Sequence, residues 1–174
     1  MAEVEAEIAW LIREYQAKTG KFLTIGTVES ATGGRIADRI TNVAGSSDYF
    51  KGSVVAYSNE VKIALLGVKK ATIKNYGVVS VQTAEEMAQG GRKLLGVDVC
   101  VSDTGVAGPS GGTPQKPVGL FYLGLAAGNE VFSQKHSLRG NREENKRDAV
   151  EAVLNMLKQY LLRHFKAKGR SASL

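Results

Sequence analysis

The chain has 174 residues, of which 43% are hydrophobic and 23% charged, and its formal net charge is +6. This length fits one domain with a buried core, and no stretch approaches the about 20 consecutive apolar residues of a membrane-spanning helix. The acidic start is unlike a secretory signal, and the single cysteine, Cys100, excludes a disulfide within the chain. We therefore expect a cytoplasmic protein with no membrane partner and with Cys100 as a buried thiol rather than a nucleophile.

Basic residues are concentrated near the end of the chain, at Arg163, Lys166, Lys168 and Arg170, with no acid beyond them. The rest of the chain is close to neutral, so a nucleic-acid partner is not expected, and binding through this end would be non-specific. We predict a single domain over residues 1–164, followed by a basic, flexible tail over residues 165–174.

The first elements alternate between helix and strand. Hydrophobic residues at helical spacing predict a helix from Val4 to Tyr15 with a stop at Gly20, and Phe22 to Val28 is a predicted buried strand. Ile36 and Ile40 then indicate a short second helix.

The middle of the chain repeats this pattern. Ser53 to Tyr57 is a predicted strand, and Asn59 is placed to cap a helix that runs to Leu66 and ends at Gly67. Thr83 and Glu86 have the spacing of a capping box, which predicts a helix that ends at Gly96.

The last third begins with a Val-rich run from Val97 to Val106, which is typical of a central strand covered on both faces. Val118 to Ala126 and Val131 to His136 flank Gly128-Asn129 and predict an antiparallel hairpin. A long amphipathic helix is predicted from near Asn141, with Glu144 at capping-box spacing. Together these elements predict a three-layer α/β/α single domain with a mixed sheet.

The segment from Thr27 to Gly34 joins a predicted strand to a predicted helix and contains Ser30. A serine at such a junction can present its hydroxyl to a cleft, near backbone N–H groups that favour negative charge. Taken alone, the segment is more typical of an ordinary turn rich in serine and glycine.

Two further features are compatible with chemistry at Ser30. Lys62 lies in the first turn of its predicted helix, just after Tyr57, and a buried lysine with a lowered pKa can act as the base for a serine. The loop from Gly105 to Pro114 offers N–H groups suited to a phosphate or an oxyanion, with Thr104 at its entrance. From the residues alone, a surface lysine is the more typical interpretation of Lys62, and the loop is equally typical of a long turn.

Other catalytic classes find less support. His136 and His164 lack the sequence context of a Ser-His-Asp triad, and no Cys, His or Asp cluster has metal-ligand spacing. Arg142, at the start of the last helix, can pair with a phosphate or with a surface carboxylate.

Several segments, taken in order, strongly resemble the C-terminal domain of the competence-damage-inducible protein CinA. They are Thr27 to Gly34, Gly45 to Phe50, Val55 to Lys62, Thr104 to Pro109, Gly112 to Pro114, Lys116 to Gly119, and Gly140 to Arg142. The resemblance covers residues 5 to 162 and is that of a stand-alone version without the family's N-terminal partner domain. Ala31 replaces the usual cysteine, and Ser110 stands where glycine is common.

The resemblance implies a nicotinamide-nucleotide amidase, which hydrolyses nicotinamide mononucleotide (NMN) to nicotinic acid mononucleotide and ammonia and needs no cofactor. It assigns the nucleophile to Ser30, the base to Lys62 and an active-site tyrosine to Tyr57. Arg142 matches the arginine that meets the phosphate. The other residues expected around the substrate are Thr32, Gly33, Gly34, Thr104, Gly105, Ala107 and Gly108.

Two rival hypotheses stay open from the sequence. One is a non-catalytic nucleotide- or phosphate-binding module linked to competence or DNA damage, because a fold alone carries no activity. The other is DNA binding through the basic end, with salt-sensitive affinity lost on deletion after His164. Apolar helix faces also favour a homodimer.

Overall fold

The computed structural model describes residues 3–170, and within that range it has five strands, six α-helices and one 3₁₀-helix. In chain order these are α1 (Val4–Thr19), β1 (Ile25–Glu29), α2 (Arg35–Thr41), the 3₁₀-helix Ser46–Asp48, β2 (Phe50–Val55), α3 (Asn59–Leu66), α4 (Lys70–Tyr76), α5 (Val81–Leu95), β3 (Val99–Gly105), β4 (Leu120–Ala127), β5 (Glu130–Ser137) and α6 (Arg142–Arg170). None of these helices is both long and apolar enough to cross a membrane.

The five strands form one sheet in the order β2-β1-β3-β4-β5. Strand β1 is parallel to β2 and to β3, with Val28 opposite Val54 and Ser102, respectively. Strands β3, β4 and β5 are successively antiparallel. The predicted mixed sheet, its C-terminal hairpin and the central position of β3 are confirmed.

Helices cover both faces of the sheet. Val99 and Val101 of β3 pack in the larger core with α1 and α6, whereas Cys100, which points to the other face, packs with α5 and the end of α3. This alternation confirms the three-layer α/β/α arrangement. Cys100 is a free thiol with no exposed surface, and its burial raises its pKa to about 12, so it packs as the expected buried thiol.

Two predicted helix starts are wrong by one and three residues. The cap of α3 is Ser58 rather than Asn59, because the Ser58 hydroxyl accepts the Val61 N–H at 3.3 Å. Helix α5 is capped by Ser80, whose hydroxyl accepts the Thr83 N–H at 3.2 Å. Thr83 therefore lies inside the helix.

Glu86, the other predicted member of that capping box, has a different role. It accepts hydrogen bonds from the Lys69 N–H and the Thr72 hydroxyl, and so joins α5 to the start of α4, a helix that the pattern of hydrophobic residues did not reveal. The strand after α2 also begins earlier than predicted, at Phe50 instead of Ser53.

The predicted tail begins within α6, because this helix continues to Arg170. The start of α6 has the expected reciprocal cap: the Asn141 N–H donates to the Glu144 carboxylate at 2.8 Å, and the Glu144 N–H donates to the Asn141 side chain at 3.1 Å. Residues 171–174 of the predicted tail lie outside the described residues.

Candidate active site

A cavity of about 300 Å³ opens at the carboxyl ends of β1 and β3, the edge where ligands bind in open α/β sheets. Eight residues singled out from the sequence line it: Ser30, Tyr57, Lys62, Thr104, Gly105, Ala107, Gly108 and Arg142. Its wall also includes Ala31, Asn59, Val78, Val79, Val106, Ser110 and Gly111. The cavity thus brings together residues from three separate strand ends and two helix starts.

Ser30 and Lys62 meet in this cavity. Ser30 follows the last residue of β1, and Lys62 lies in the first turn of α3, which follows the neighbouring parallel strand β2. The Lys62 Nζ lies 3.0 Å from the Ser30 Oγ. It also donates to the main-chain carbonyls of Ala56, at 2.7 Å, and Tyr57, at 3.2 Å. The alternative of an exposed surface lysine is therefore excluded.

The surroundings of Lys62 favour its neutral form. Only 1% of Lys62 is exposed, and this burial lowers the pKa of its amine, whereas the charges of Asp103 and Glu60 raise it. The position in the first turn of α3 adds the positive end of a helix dipole. An amine so placed can accept a proton from the neighbouring hydroxyl.

Beneath the cavity lie two fully buried carboxyl groups to which the sequence did not assign roles. Asp103, in β3, accepts the Ser30 N–H at 2.9 Å and the Thr32 N–H at 3.2 Å. Burial, together with the charge of Glu29, raises the pKa of Asp103 to about 6, although its hydrogen bonds lower it. Asp103 thus holds the main chain on both sides of Ala31.

Glu29, the last residue of β1, occupies the N-terminal end of α2. Its carboxylate accepts the N–H groups of Gly34 at 2.8 Å, Ile36 at 3.0 Å and Ala37 at 2.8 Å. Buried anions at such a position are stabilised by unpaired helix N–H groups and by the helix dipole. The Glu29 carboxylate therefore binds the N–H groups at the start of α2 that were expected, from the sequence, to face a substrate.

Three residues expected around the substrate do not line the cavity: Thr32, Gly33 and Gly34. Thr32 has no exposed surface, and its hydroxyl contacts the carboxyl groups of both Glu29 and Asp103. The Gly34 amide is bound to Glu29. In this structure Thr32 and Gly34 hold the turn around Ser30 through the two buried carboxyl groups, and Gly33 lies between them.

Tyr57 and Arg142 meet across the cavity mouth. Tyr57 is 62% exposed, and its hydroxyl accepts a hydrogen bond from Arg142 Nη2 at 3.3 Å. Arg142 Nη1 donates to the Gly108 carbonyl at 2.7 Å. The hydrogen bond between Lys62 and Tyr57 is made by the main-chain carbonyl of Tyr57, whereas its hydroxyl lies against Arg142.

Asn145, on the first turns of α6, is a further residue near the site that sequence reasoning missed. It has no exposed surface, and its amide joins the Ala107 carbonyl to the Gly140 N–H. The signal available in the sequence was weak: a polar residue on the buried face of an amphipathic helix. Asp103 carried a clearer one, because an acid within a Val-rich buried strand requires partners.

Within residues 3–170, no group of three or more His, Cys, Asp or Glu side chains is arranged to hold a metal ion.

Comparison with known proteins identifies the family to which this architecture belongs. The model of the CinA C-terminal domain matches residues 9–161. A CinA-like protein from Kosmotoga olearia is 49% identical over 145 residues, which make up 83% of this chain and 35% of that protein. A CinA-like protein from a Sulfurihydrogenibium species is 42% identical over 160 residues, or 92% of this chain and 38% of the relative. The chain thus spans little more than a third of the length of these curated relatives.

Two solved structures share the fold over nearly their whole lengths. The competence/damage inducible protein CihA from Agrobacterium tumefaciens is 35% identical with a TM-score of 0.82, covering 90% of this chain and 94% of that one. The competence damage-inducible protein A from Klebsiella pneumoniae is 26% identical with a TM-score of 0.84, covering 92% and 98%. The chain therefore belongs to the CinA C-terminal domain family.

Proposed function

We propose that this chain is a nicotinamide-nucleotide amidase that hydrolyses NMN to nicotinic acid mononucleotide and ammonia, with Ser30 as nucleophile and Lys62 as general base. The observation that carries the proposal is the 3.0 Å contact between the Ser30 Oγ and the buried Lys62 Nζ at the wall of a cavity. A serine beside a lysine of lowered pKa is an activated nucleophile for acyl transfer. The choice of NMN rests on the family resemblance.

The contacts of Lys62 determine how the proton moves. A neutral amine has two N–H groups and one lone pair, and the carbonyls of Ala56 and Tyr57 can only accept. Both N–H groups therefore point to these carbonyls, and the lone pair is left for the Ser30 hydroxyl. In this arrangement Lys62 is oriented as a base before any substrate enters.

The reaction then follows in two halves. The Ser30 Oγ attacks the carboxamide carbon as Lys62 takes the hydroxyl proton, and Lys62 passes that proton to the nitrogen, which leaves as ammonia. The C–N bond breaks and an ester to Ser30 remains. Water, deprotonated by the same amine, attacks the ester and releases the acid, and the proton returns to Ser30. The positively charged pyridinium ring of the substrate draws electrons from the amide and so assists the first attack.

The phosphate end of the substrate requires a cation near the mouth of the cavity. Arg142 lies there and can form paired hydrogen bonds to phosphate oxygens. Tyr57, exposed beside it, offers a ring face and a hydroxyl at the same place. The same proposal includes a cytoplasmic location, where a pyridine-nucleotide reaction of this kind belongs.

The test is ammonia release from NMN by the purified protein, with nicotinic acid mononucleotide identified by mass spectrometry. Ser30→Ala and Lys62→Met should each lower the rate at least about a thousandfold, because nucleophile and base act as one unit. Lys74→Met, which changes an exposed lysine of α4, is the matched control and should keep the wild-type rate.

Thermal unfolding of each variant separates a lost role from a lost fold. A folded Ser30→Ala protein that still releases ammonia at a rate near the wild-type value would contradict the assignment. Binding of NMN without turnover by the wild-type protein would instead favour the non-catalytic binding module.

A further inference from the structure

Three consecutive carbonyls of the loop after β3 are anchored on the side away from the cavity or at its rim. The Val106 carbonyl accepts the Gly119 N–H at 2.7 Å, and the Ala107 carbonyl accepts the Asn145 side-chain amide at 3.0 Å. The Gly108 carbonyl accepts Arg142 Nη1 at 2.7 Å. The orientation of each peptide unit in this stretch is therefore held by a hydrogen bond.

The first two of these peptide units carry the N–H groups of Ala107 and Gly108, and each N–H points away from the carbonyl of its own unit. The third unit ends at Pro109, which has no N–H. The only cis peptide bond among the described residues is Gly108-Pro109, so the units before Ala107 and before Gly108 are trans, with C=O and N–H antiparallel. Asn145 does not line the cavity, whereas Ala107 and Gly108 do. Within residues 3–170, neither of these two N–H groups has a hydrogen-bond acceptor. Backbone donors without a protein partner are rare in proteins, and two that face a cavity are available to a bound ligand.

Most amides of the nucleophile turn, by contrast, are already used. Asp103 accepts those of Ser30 and Thr32, and Glu29 accepts those of Gly34 and of the first turn of α2. The free donors at the cavity therefore lie mainly on the other side, in the loop after β3. Two adjacent N–H groups of this kind form a binding site for a negatively charged oxygen.

We infer that the N–H groups of Ala107 and Gly108 bind an anionic oxygen of the substrate and that Asn145, through the Ala107 carbonyl, is the residue that positions them. The inference rests on the proposed amidase function for the identity of that oxygen. It is either the oxyanion that forms when Ser30 attacks or the phosphate that Arg142 meets. Asn145 touches no reacting atom and acts only through the loop.

Substitution of Asn145 separates its two hydrogen bonds. Asn145→Asp keeps an acceptor for the Gly140 N–H but places an oxygen against the Ala107 carbonyl, whereas Asn145→Ala removes both bonds. Both should lower kcat/KM for NMN about ten- to a hundredfold per folded molecule, since loss of one oxyanion donor costs about a hundred- to a thousandfold. Asn155→Asp, the same change on the same helix, should keep the wild-type value.

The kinetic constants distinguish the two sources of the oxygen. If the amides bind the oxyanion, kcat falls while KM for NMN stays, and the loss is the same for nicotinamide riboside, which has no phosphate. If they bind the phosphate, KM for NMN rises and the riboside is unaffected. A folded Asn145→Asp protein with kcat and KM both within twofold of the wild-type values would overturn the inference.

A second measurement does not depend on turnover. In ¹⁵N-labelled protein titrated with nicotinic acid mononucleotide, the amide resonances of Ala107 and Gly108 should shift, and the shifts should be lost in Asn145→Asp. Shifts in a wild-type protein that does not hydrolyse NMN would reject the amidase function and keep the anion site. Unshifted resonances at saturation would reject the anion site.

Discussion

Lys62 illustrates how burial and hydrogen bonding together define the role of one residue. A protonated amine could donate to all three of its oxygen neighbours, but with 1% of the residue exposed its charge would be far from water. Burial lowers its pKa for this reason. The neutral amine satisfies the same three contacts by reversing one hydrogen bond, so that the Ser30 hydroxyl becomes the donor. The hydrogen bonds that hold Lys62 thus also direct its lone pair to the Ser30 hydroxyl, as a base requires.

Asp103 and Glu29 share one hydroxyl, that of Thr32, which has a single proton and can donate to only one of them. The other contact requires a proton on a carboxyl group. Asp103, whose pKa burial raises to about 6, is the group that takes up this proton as the pH falls. A neutral Asp103 still accepts the Ser30 N–H, so the turn that contains Ser30 keeps its support.

This raised pKa makes a signed prediction for stability. Between about pH 4 and 6 folded Asp103 binds a proton more tightly than the unfolded chain, so the free energy of unfolding falls as the pH rises through this window. The shift from 3.8 to about 6 corresponds to on the order of 3 kcal/mol. Asp103→Asn should lower stability overall, because its NH₂ group cannot accept an N–H, and should remove this slope.

Urea unfolding at intervals from pH 4 to pH 7 measures the effect. Asp48→Asn, which removes an exposed carboxyl group, is the matched control for the loss of one charge. An Asp103→Asn protein with the same slope as the wild type between pH 4 and 6 would contradict the account of Asp103.

At the scale of elements, helix α5 owes its position to small residues on both sides. A Cβ on Gly124 of β4 would lie 2.3 Å from the Ala84 carbonyl oxygen of α5. On the opposite side, a Cβ on Gly90 would lie 1.9 Å from the Leu66 carbonyl oxygen, at the end of α3. Helix α3 carries Lys62, so the close packing of α5 against α3 helps to set the position of the amine.

Gly90→Ala should therefore destabilise the protein, although alanine favours a helix by about 1 kcal/mol relative to glycine. Because the contact is with backbone, which must shift, we expect a net loss of about 2 kcal/mol in the free energy of unfolding. Gln89→Ala, at an exposed neighbouring position of α5, should change it by less than about 0.5 kcal/mol. Chemical denaturation measures both, and equal stability of the two variants would contradict this packing account.

At the scale of the whole molecule, the site follows from the topology of the parallel strands. The chain leaves β1 through α2, which packs in the core with α1 and α6, and leaves β2 through α3 and α5 on the other face. The connections that follow β1 and β2 therefore lie on opposite faces of the sheet. A crevice forms between the carboxyl ends of β1 and β3. Ser30 and Gly105 lie on its two sides.

Much of this arrangement could be predicted from sequence, because the strands that precede Ser30 and Lys62 and the strand that ends at Gly105 are visible as apolar runs. The helix caps were harder, since a suitable competing cap residue stands within three positions of both Ser58 and Ser80.

The partners of the supporting residues could not be predicted, because they are remote in the chain. Asp103 binds residues 73 and 71 positions away, and Asn145 binds a carbonyl 38 positions away. No local pattern records such pairs. The homodimer that the apolar helix faces favour stays a prediction.

The most direct test of the central claim is rapid acid quenching of the reaction with NMN, followed by peptide mapping by mass spectrometry. We predict that the first turnover of ammonia is accompanied by an ester of the nicotinic acid mononucleotide carboxyl group on the peptide that contains Ser30. In Ser30→Ala no adduct should form. The account would be contradicted if a full equivalent of ammonia were released before any acid product while Ser30 stayed unmodified. An ester on another residue would contradict it as well.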